Sequence, residues 1–236
     1  MTNLDHRITE NVTAVRERMQ AAALRAGRRA TDITLVAVTK YVGPPEVAAV
    51  VAAGCLDLGE SRPQELWRKI AARSTPDLVR WHLIGHLQRN KARRTVGRVG
   101  LIHSCDSLRL LTEIDRIAQE TTSRASVLLE INVSGDAQKH GFEPQEIEGH
   151  LATIAELQSV QVKGLMTMAA LAGNADEARQ NFSCLRELRD RLRANCPESI
   201  CLDELSMGMT RDFEIAIEEG ATIVRVGSAL FEGVTP

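Results

Sequence analysis

Aromatic side chains are scarce in this sequence, with two Trp, one Tyr and four Phe among 236 residues. The one basic cluster, Arg89, Lys91, Arg93, Arg94 and Arg98, has no aromatic interleaved with it. It lacks the stacking surfaces of a single-strand nucleic-acid groove and reads as a solvated helix face. Excess charge is missing too. A formal net charge of −2 creates no pull toward nucleic acid or anionic lipid. The five cysteines (Cys55, Cys105, Cys184, Cys196, Cys201) are odd in number, scattered and without a CxxC pair. That argues against a disulfide framework or a zinc site and predicts reduced thiols in a cytoplasmic protein. No run is long enough to span a membrane, and the opening MTNLDHRITENV has no apolar signal core. No low-complexity stretch or Pro/Gly/Ser linker interrupts the chain, so residues 1–236 are expected to form one domain. No exposed apolar stripe is evident, which predicts a monomer.

What the sequence does contain is an alternation. Strand-like runs at 33–40, 55–59, 78–84, 99–103, 126–133, 160–165, 200–205 and 221–226 alternate with helix-period stripes. A first helix, with Ile8, Val12, Val15, Met19 and Ala22 on one face, precedes them all. Ser61-Arg62-Pro63-Gln64 has capping-box spacing, Asp106-Ser107 reads as a helix cap, and Thr210 and Asp212 open a helix. Eight strand–helix alternations in this length predict an α/β chain folded as a single (β/α)8 TIM-type barrel with an extra N-terminal helix. An open sheet is the alternative.

The chemistry starts at Lys40, which ends the first run. A lysine there either snorkels to water or, desolvated at the mouth of a dry core, attacks a carbonyl to form a Schiff base. A barrel carries its site at the C-terminal ends of its strands, often with phosphate on the loops after strands seven and eight. Those loops are Ser206-Met207-Gly208-Met209-Thr210 and Gly227-Ser228-Ala229. Small residues leading into helix starts suit an anion, so Ser206, Gly227 and Ser228 are read as a phosphate cradle, with Thr210 as a helix cap. Closure sets strand one beside strand eight and so brings Lys40 to that cradle. An amine beside a phosphate site suits pyridoxal 5'-phosphate (PLP), whose aldehyde and phosphate lie on one ring. Arg225, two residues before Gly227, either faces the pyridine nitrogen or pairs with a rim carboxylate. A guanidinium there would leave the nitrogen unprotonated, because it accepts no proton.

The segments VAVTKY, LGESRPQE, WHLIGHLQRNKAR, IHSCDS, INVSGDAQKHGF, GLMTMA and LSMGMTRDFEIAIEEGATIVRVGSALF resemble the YggS/PROSC family, the PLP homeostasis proteins. The likeness runs in order along nearly the whole chain. The family is similar to the barrel domain of alanine racemase without its second domain. The resemblance implies that Lys40 forms the Schiff base, that Ser206, Gly227 and Ser228 bind phosphate, and that Arg225 faces the pyridine nitrogen. Three places depart from the family pattern: Ser61 where Asn is usual, Thr210 where Ser is common, and Phe231-Glu232-Gly233 near the end.

Other residues carry weaker signals. His82 and His86 are four apart but lack the glutamate of HExxH, and no metal is expected. His103, Met166 and Met168 read as core or rim. Lys139 and His140 could approach the cofactor, and Glu60 reads as a rim carboxylate with a structural partner. The resemblance implies a non-enzymatic PLP holder with PLP as ligand, apo-PLP enzymes as possible recipients, and neither nucleic acid nor membrane as partner. A PLP-dependent racemase is the alternative. It needs a base on each face of the substrate, and the only tyrosine, Tyr41, adjoins Lys40. Cys105 or His103 could stand in. A Schiff-base aldolase acting on a phosphorylated sugar is the third reading.

Overall fold

The apolar runs become parallel strands that close on themselves in the order β1 to β8, with β8 paired to β1. This computed structural model describes residues 2–135, 140–168 and 174–234. The strands are β1 (Thr34–Val38), β2 (Asp57–Glu60), β3 (Arg80–Leu83), β4 (Leu101–Cys105), β5 (Ala125–Glu130), β6 (Val160–Met166), β7 (Glu204–Ser206) and β8 (Ile223–Val226). Helices α2 (Pro44–Ala52), α3 (Pro63–Ala71), α4 (Arg89–Thr95), α5 (Leu108–Glu120), α6 (Ile147–Ala155), α7 (Ala175–Arg193) and α8 (Phe213–Glu218) follow the first seven strands in turn. After β8, the described residues form a 3-10 turn, Ser228–Phe231, and no further helix or strand.

The N-terminal helix α1 (Asn3–Arg25) completes the outer ring where a helix after β8 would otherwise stand. It packs on α2, α8 and the last 3-10 turn. Its apolar stripe, Ile8, Val12, Val15 and Met19, is buried there. Its polar side chains tie it on both flanks: Arg16 donates to the carbonyls of Ala53 and Gly54, and Asn11 to those of Leu230 and Glu232. Arg18 and Arg25 pair with Glu214 and Glu218 of α8. The start is fixed by a capping box between Thr2 and Asp5.

The main core lies between barrel and helices. Inside the barrel a smaller apolar cluster joins Val36, Leu101, Leu128, Met166 and Ile223, with Ile84 packed against it. These inward positions alternate with outward ones along the strands. Inward polar residues, His82, His103, Ser206 and Arg225, are buried as well.

Several boundaries differ from expectation. β1 stops at Val38, so Lys40 stands in the loop beyond it. β7 begins at Glu204 rather than near Ile200, because the Ile200 amide turns back to the Pro197 carbonyl. Ser61 does not cap α3. Arg62 holds that position without a side-chain bond, and Pro63 at the first helical position sets the entry instead. Ser107 caps α5 as expected, accepting from the Leu110 amide.

Candidate functional site

The seam between β1 and β8 brings the two ends of the expected site together. Val36 pairs with Arg225 and Ala37 with Val226, which carries Gly227 alongside Val38. A Cβ on Gly227 would lie 3.3 Å from both the Cβ and the carbonyl oxygen of Val38. The glycine therefore lets the β8 loop run tight against the β1 end, two residues before Lys40.

Lys40 is exposed, with its Nζ 4.9 Å from the centre of the exposed Tyr41 ring. The dry enclosure expected around this amine is not supplied by its immediate chain neighbours. What the fold supplies is a fixed backbone beneath it. Thr39 is buried, and its amide donates to the Gly59 carbonyl. Its carbonyl accepts from Lys69 Nζ at 2.6 Å and from the Val42 amide at 3.1 Å. Its hydroxyl donates to Glu60 Oε1 at 2.9 Å, and Lys69 pairs with that same carboxylate oxygen. Glu60 is a buried carboxylate with a structural partner, and it anchors the peptide that leads into Lys40.

The β7 and β8 loops lock to one another. The Gly227 amide donates to Thr210 Oγ1 at 3.4 Å, and the Arg225 amide to the Gly208 carbonyl at 3.0 Å. Thr210, expected as a cap, instead points at the β8 loop. Asp212 occupies the N-cap position of α8 and accepts from the Met209 amide at 2.6 Å. Gly208 has φ +90°, and a Cβ there would stand 2.5 Å from that of Ala216. Ser228 is exposed and opens the final 3-10 turn.

The Ser206 hydroxyl is spent inside the barrel rather than on the loop surface. It takes a bond from Arg225 Nη1 and lies 2.9 Å from His103 Nδ1. Arg225 is buried, and its second terminal nitrogen donates to the Thr167 carbonyl at 2.9 Å. Its donors go to neutral oxygens and not to a rim carboxylate. Burial lowers its pKa to about 10, partly offset by the charges of Glu130 and Asp212. Burial also raises the Glu130 carboxyl to about 7, helped by Asp106 and opposed by Arg225.

His103 is a satisfied core residue. Its Nε2 lies 2.9 Å from His82 Nδ1, and His82 Nε2 lies 3.0 Å from Asp57 Oδ1. Burial, with the charges of His82 and Arg225, holds the His103 pKa well below the usual imidazole range. Cys105 is buried, and burial pushes its thiol well above the ordinary value. Met166 belongs to the barrel interior, and Met168 is exposed. Lys139 falls outside the described residues.

His82 and His86 do not meet. His86 instead stacks on His140, ring centres 4.1 Å apart, and their Nδ1 atoms lie 3.0 and 3.8 Å from Asp106 Oδ2. The two planes differ by 14°. One ligand nitrogen of each ring and an Asp106 oxygen all lie within 4.8 Å of one another, a spacing that could hold a metal ion.

A family model described as the alanine racemase N-terminal domain matches residues 6–236. A protein of Aquifex aeolicus named pyridoxal phosphate homeostasis protein is 42% identical over 222 residues, covering 94% of this chain and 96% of that one. The chain belongs to the pyridoxal phosphate homeostasis protein family. Among solved structures, the chain is similar to PipY, the COG0325 family member of Synechococcus elongatus PCC7942. Its structure with PLP bound is 34% identical, with a TM-score of 0.84 over 95% of this chain and 99% of that one. Alanine racemase from Streptomyces coelicolor shares the fold at a TM-score of 0.72 and 21% identity. The present chain covers 95% of its own length but 59% of that racemase. In fold, this chain thus matches a part of that longer racemase.

Proposed function

We propose that this chain holds PLP as a Schiff base on Lys40 and acts in PLP homeostasis. The observation that carries the reading is the β1–β8 seam, where Gly227 lies against Val38 two residues before Lys40. When bound, PLP supplies an aldehyde for a primary amine and an anionic phosphate for hydrogen-bond donors. The residues present fit both halves. Lys40 offers the amine on a backbone held by Thr39, Glu60 and Lys69. The Thr210 and Ser228 hydroxyls offer donors beside Gly227, where a bulkier residue would crowd Val38. Arg225 contributes a fixed, buried cation. Ser206 acts from beneath Arg225, its hydroxyl already committed.

A carrier role fits the surroundings better than racemase catalysis. A second base on the opposite face is wanting among the described candidates. Both ring nitrogens of His103 are engaged, the Cys105 thiol is held protonated by burial, and Tyr41 sits beside Lys40 itself. The recipients would be apo-PLP enzymes. Among the described residues, the exposed large apolar side chains Leu24, Tyr41, Leu56, Leu78 and Met168 are scattered over separate elements, which supports a monomer. No helix among the described residues is long and apolar enough to cross a membrane. Buried free thiols at Cys55 and Cys105 support a reducing, cytoplasmic setting.

The deciding experiment is reduction. Purified protein mixed with PLP should turn yellow, and borohydride should bleach it and fix the mass of PLP on Lys40. Lys40→Ala should lose the colour. A colourless wild-type protein under saturating PLP sinks the reading and favours the aldolase. Deuterium exchange at the α-carbon of L-alanine, at turnover rates, would replace carriage with racemisation.

A further inference from the structure

The buried polar residues of the barrel interior form a continuous chain. It runs from Arg225 through Ser206 and His103 to His82 and Asp57, with successive heavy atoms 2.9, 2.9 and 3.0 Å apart from Ser206 onward. Asp57 opens β2, and Arg80, at the start of β3, donates to its other oxygen at 2.7 Å. The chain therefore spans the barrel from its N-terminal face, where Arg80 is exposed, to the buried guanidinium on the cofactor side.

Its ends are chemically fixed. Arg225 can only donate, and an ionised Asp57 can only accept. Burial raises the Asp57 carboxyl, but the hydrogen bonds from His82 and Arg80 outweigh it and hold the pKa below the ordinary value. A nitrogen–nitrogen contact of 2.9 Å between His82 and His103 needs one proton between them, so the two rings cannot both be cations. With both imidazoles neutral, one arrangement satisfies every atom. Arg225 donates to Ser206, Ser206 to His103 Nδ1, His103 Nε2–H to His82 Nδ1, and His82 Nε2–H to Asp57.

We propose that Asp57, His82 and His103 are positioning residues, a one-way hydrogen-bond chain that fixes the Ser206 oxygen as acceptor for Arg225 and so links the cofactor side to the opposite face of the barrel. This rests on the PLP reading only for what Arg225 faces. The chain itself stands on the protein's own atoms. Barrels usually reserve the N-terminal face for stability. Here a cut made near that face reaches the site.

The test begins with unloaded wild-type protein carrying 15N-labelled histidine, read by NMR at pH 8. Both His82 and His103 should carry their proton on Nε2 and none on Nδ1. An Nδ1–H form of either, or a doubly protonated His82, reverses the chain and overturns the proposal. His82→Phe keeps a ring while removing both bonds, and it touches neither Arg225 nor Ser206. In that variant His103 should populate the Nδ1–H form. PLP should leave the loaded variant about fivefold faster, the size expected for one lost hydrogen bond, while borohydride still fixes it on Lys40. Wild-type tautomer and release rate in the variant overturn the proposal. Should His82→Phe fail to fold, the wild-type tautomers decide alone. If borohydride fixes nothing on wild-type Lys40, the PLP reading falls, while the tautomers still decide the chain.

Discussion

At the scale of single residues, Lys40 owes its position to its neighbour. Thr39 is held through its amide, its carbonyl and its hydroxyl, and both the carbonyl's bond from Lys69 and the hydroxyl's bond to Glu60 depend on the buried Glu60–Lys69 pair. Replacing Lys69 by Met leaves Glu60 buried and unpaired. Stability to urea should fall by about 3–5 kcal/mol, the usual loss when one partner of a buried ion pair is removed. Adding Glu60→Leu should recover much of that loss. A fall below about 1 kcal/mol would show that the pair is worth little. The sequence singles out Lys40 and Arg225 because each ends or nearly ends an apolar run. The inward histidines were harder to read. His82 and His103 lie 21 positions apart, on neighbouring strands. The available signal was a histidine at an inward position in each of two adjacent apolar runs. The inward turn of Ser206, read as a cradle residue, and of Thr210 toward the β8 loop, read as a cap, left no signal, since both are hydroxyls in one short loop and only the path of that loop separates them.

At the scale of elements, strands were read well and their ends poorly. Strands buried on both faces appear as unbroken apolar runs, and that signal does not mark where pairing stops. Ile200-Cys201-Leu202 is apolar enough to extend β7 on paper, yet the Ile200 amide closes the preceding turn and only the Cys201 amide reaches across to Val162 of β6, so regular pairing starts at Glu204. The sharpest element-level constraint is the turn from β7 to α8. Gly208 combines a left-handed backbone with almost no room for a side chain. Gly208→Ala should cost about 2 kcal/mol or more from strain and overlap together. For a chain of this size that is a Tm lower by about 4–8 °C. Calorimetry that finds the variant within a degree of wild type would show that the turn relaxes freely.

At the scale of the whole molecule, the closed barrel followed from counting alternations, and the polar interior gives it a pH dependence. The Glu130 carboxyl is raised to about 7 in the folded chain. The folded state thus binds this proton more tightly than the unfolded state, whose carboxyl titrates near 4.5. The contribution is complete below about pH 4.5 and is lost as pH rises through 7, a swing of up to about 3 kcal/mol. PLP-free wild-type protein should therefore lose stability between pH 5.5 and pH 8 more steeply than Glu130→Gln. Parallel curves for the two proteins would assign the slope to other groups.

The docking of α1 sets an order of events during synthesis. Helix α1 is made before all the elements it packs on, and of its seat α2 follows early, whereas α8 and the final 3-10 turn come much later in the chain. Until then the side chains of Ile8, Val12, Val15 and Met19 have no complete surface to cover them. A nascent chain halted before α8 would keep part of that stripe available to chaperones, so the ring shuts only once α8 and the 3-10 turn have been made.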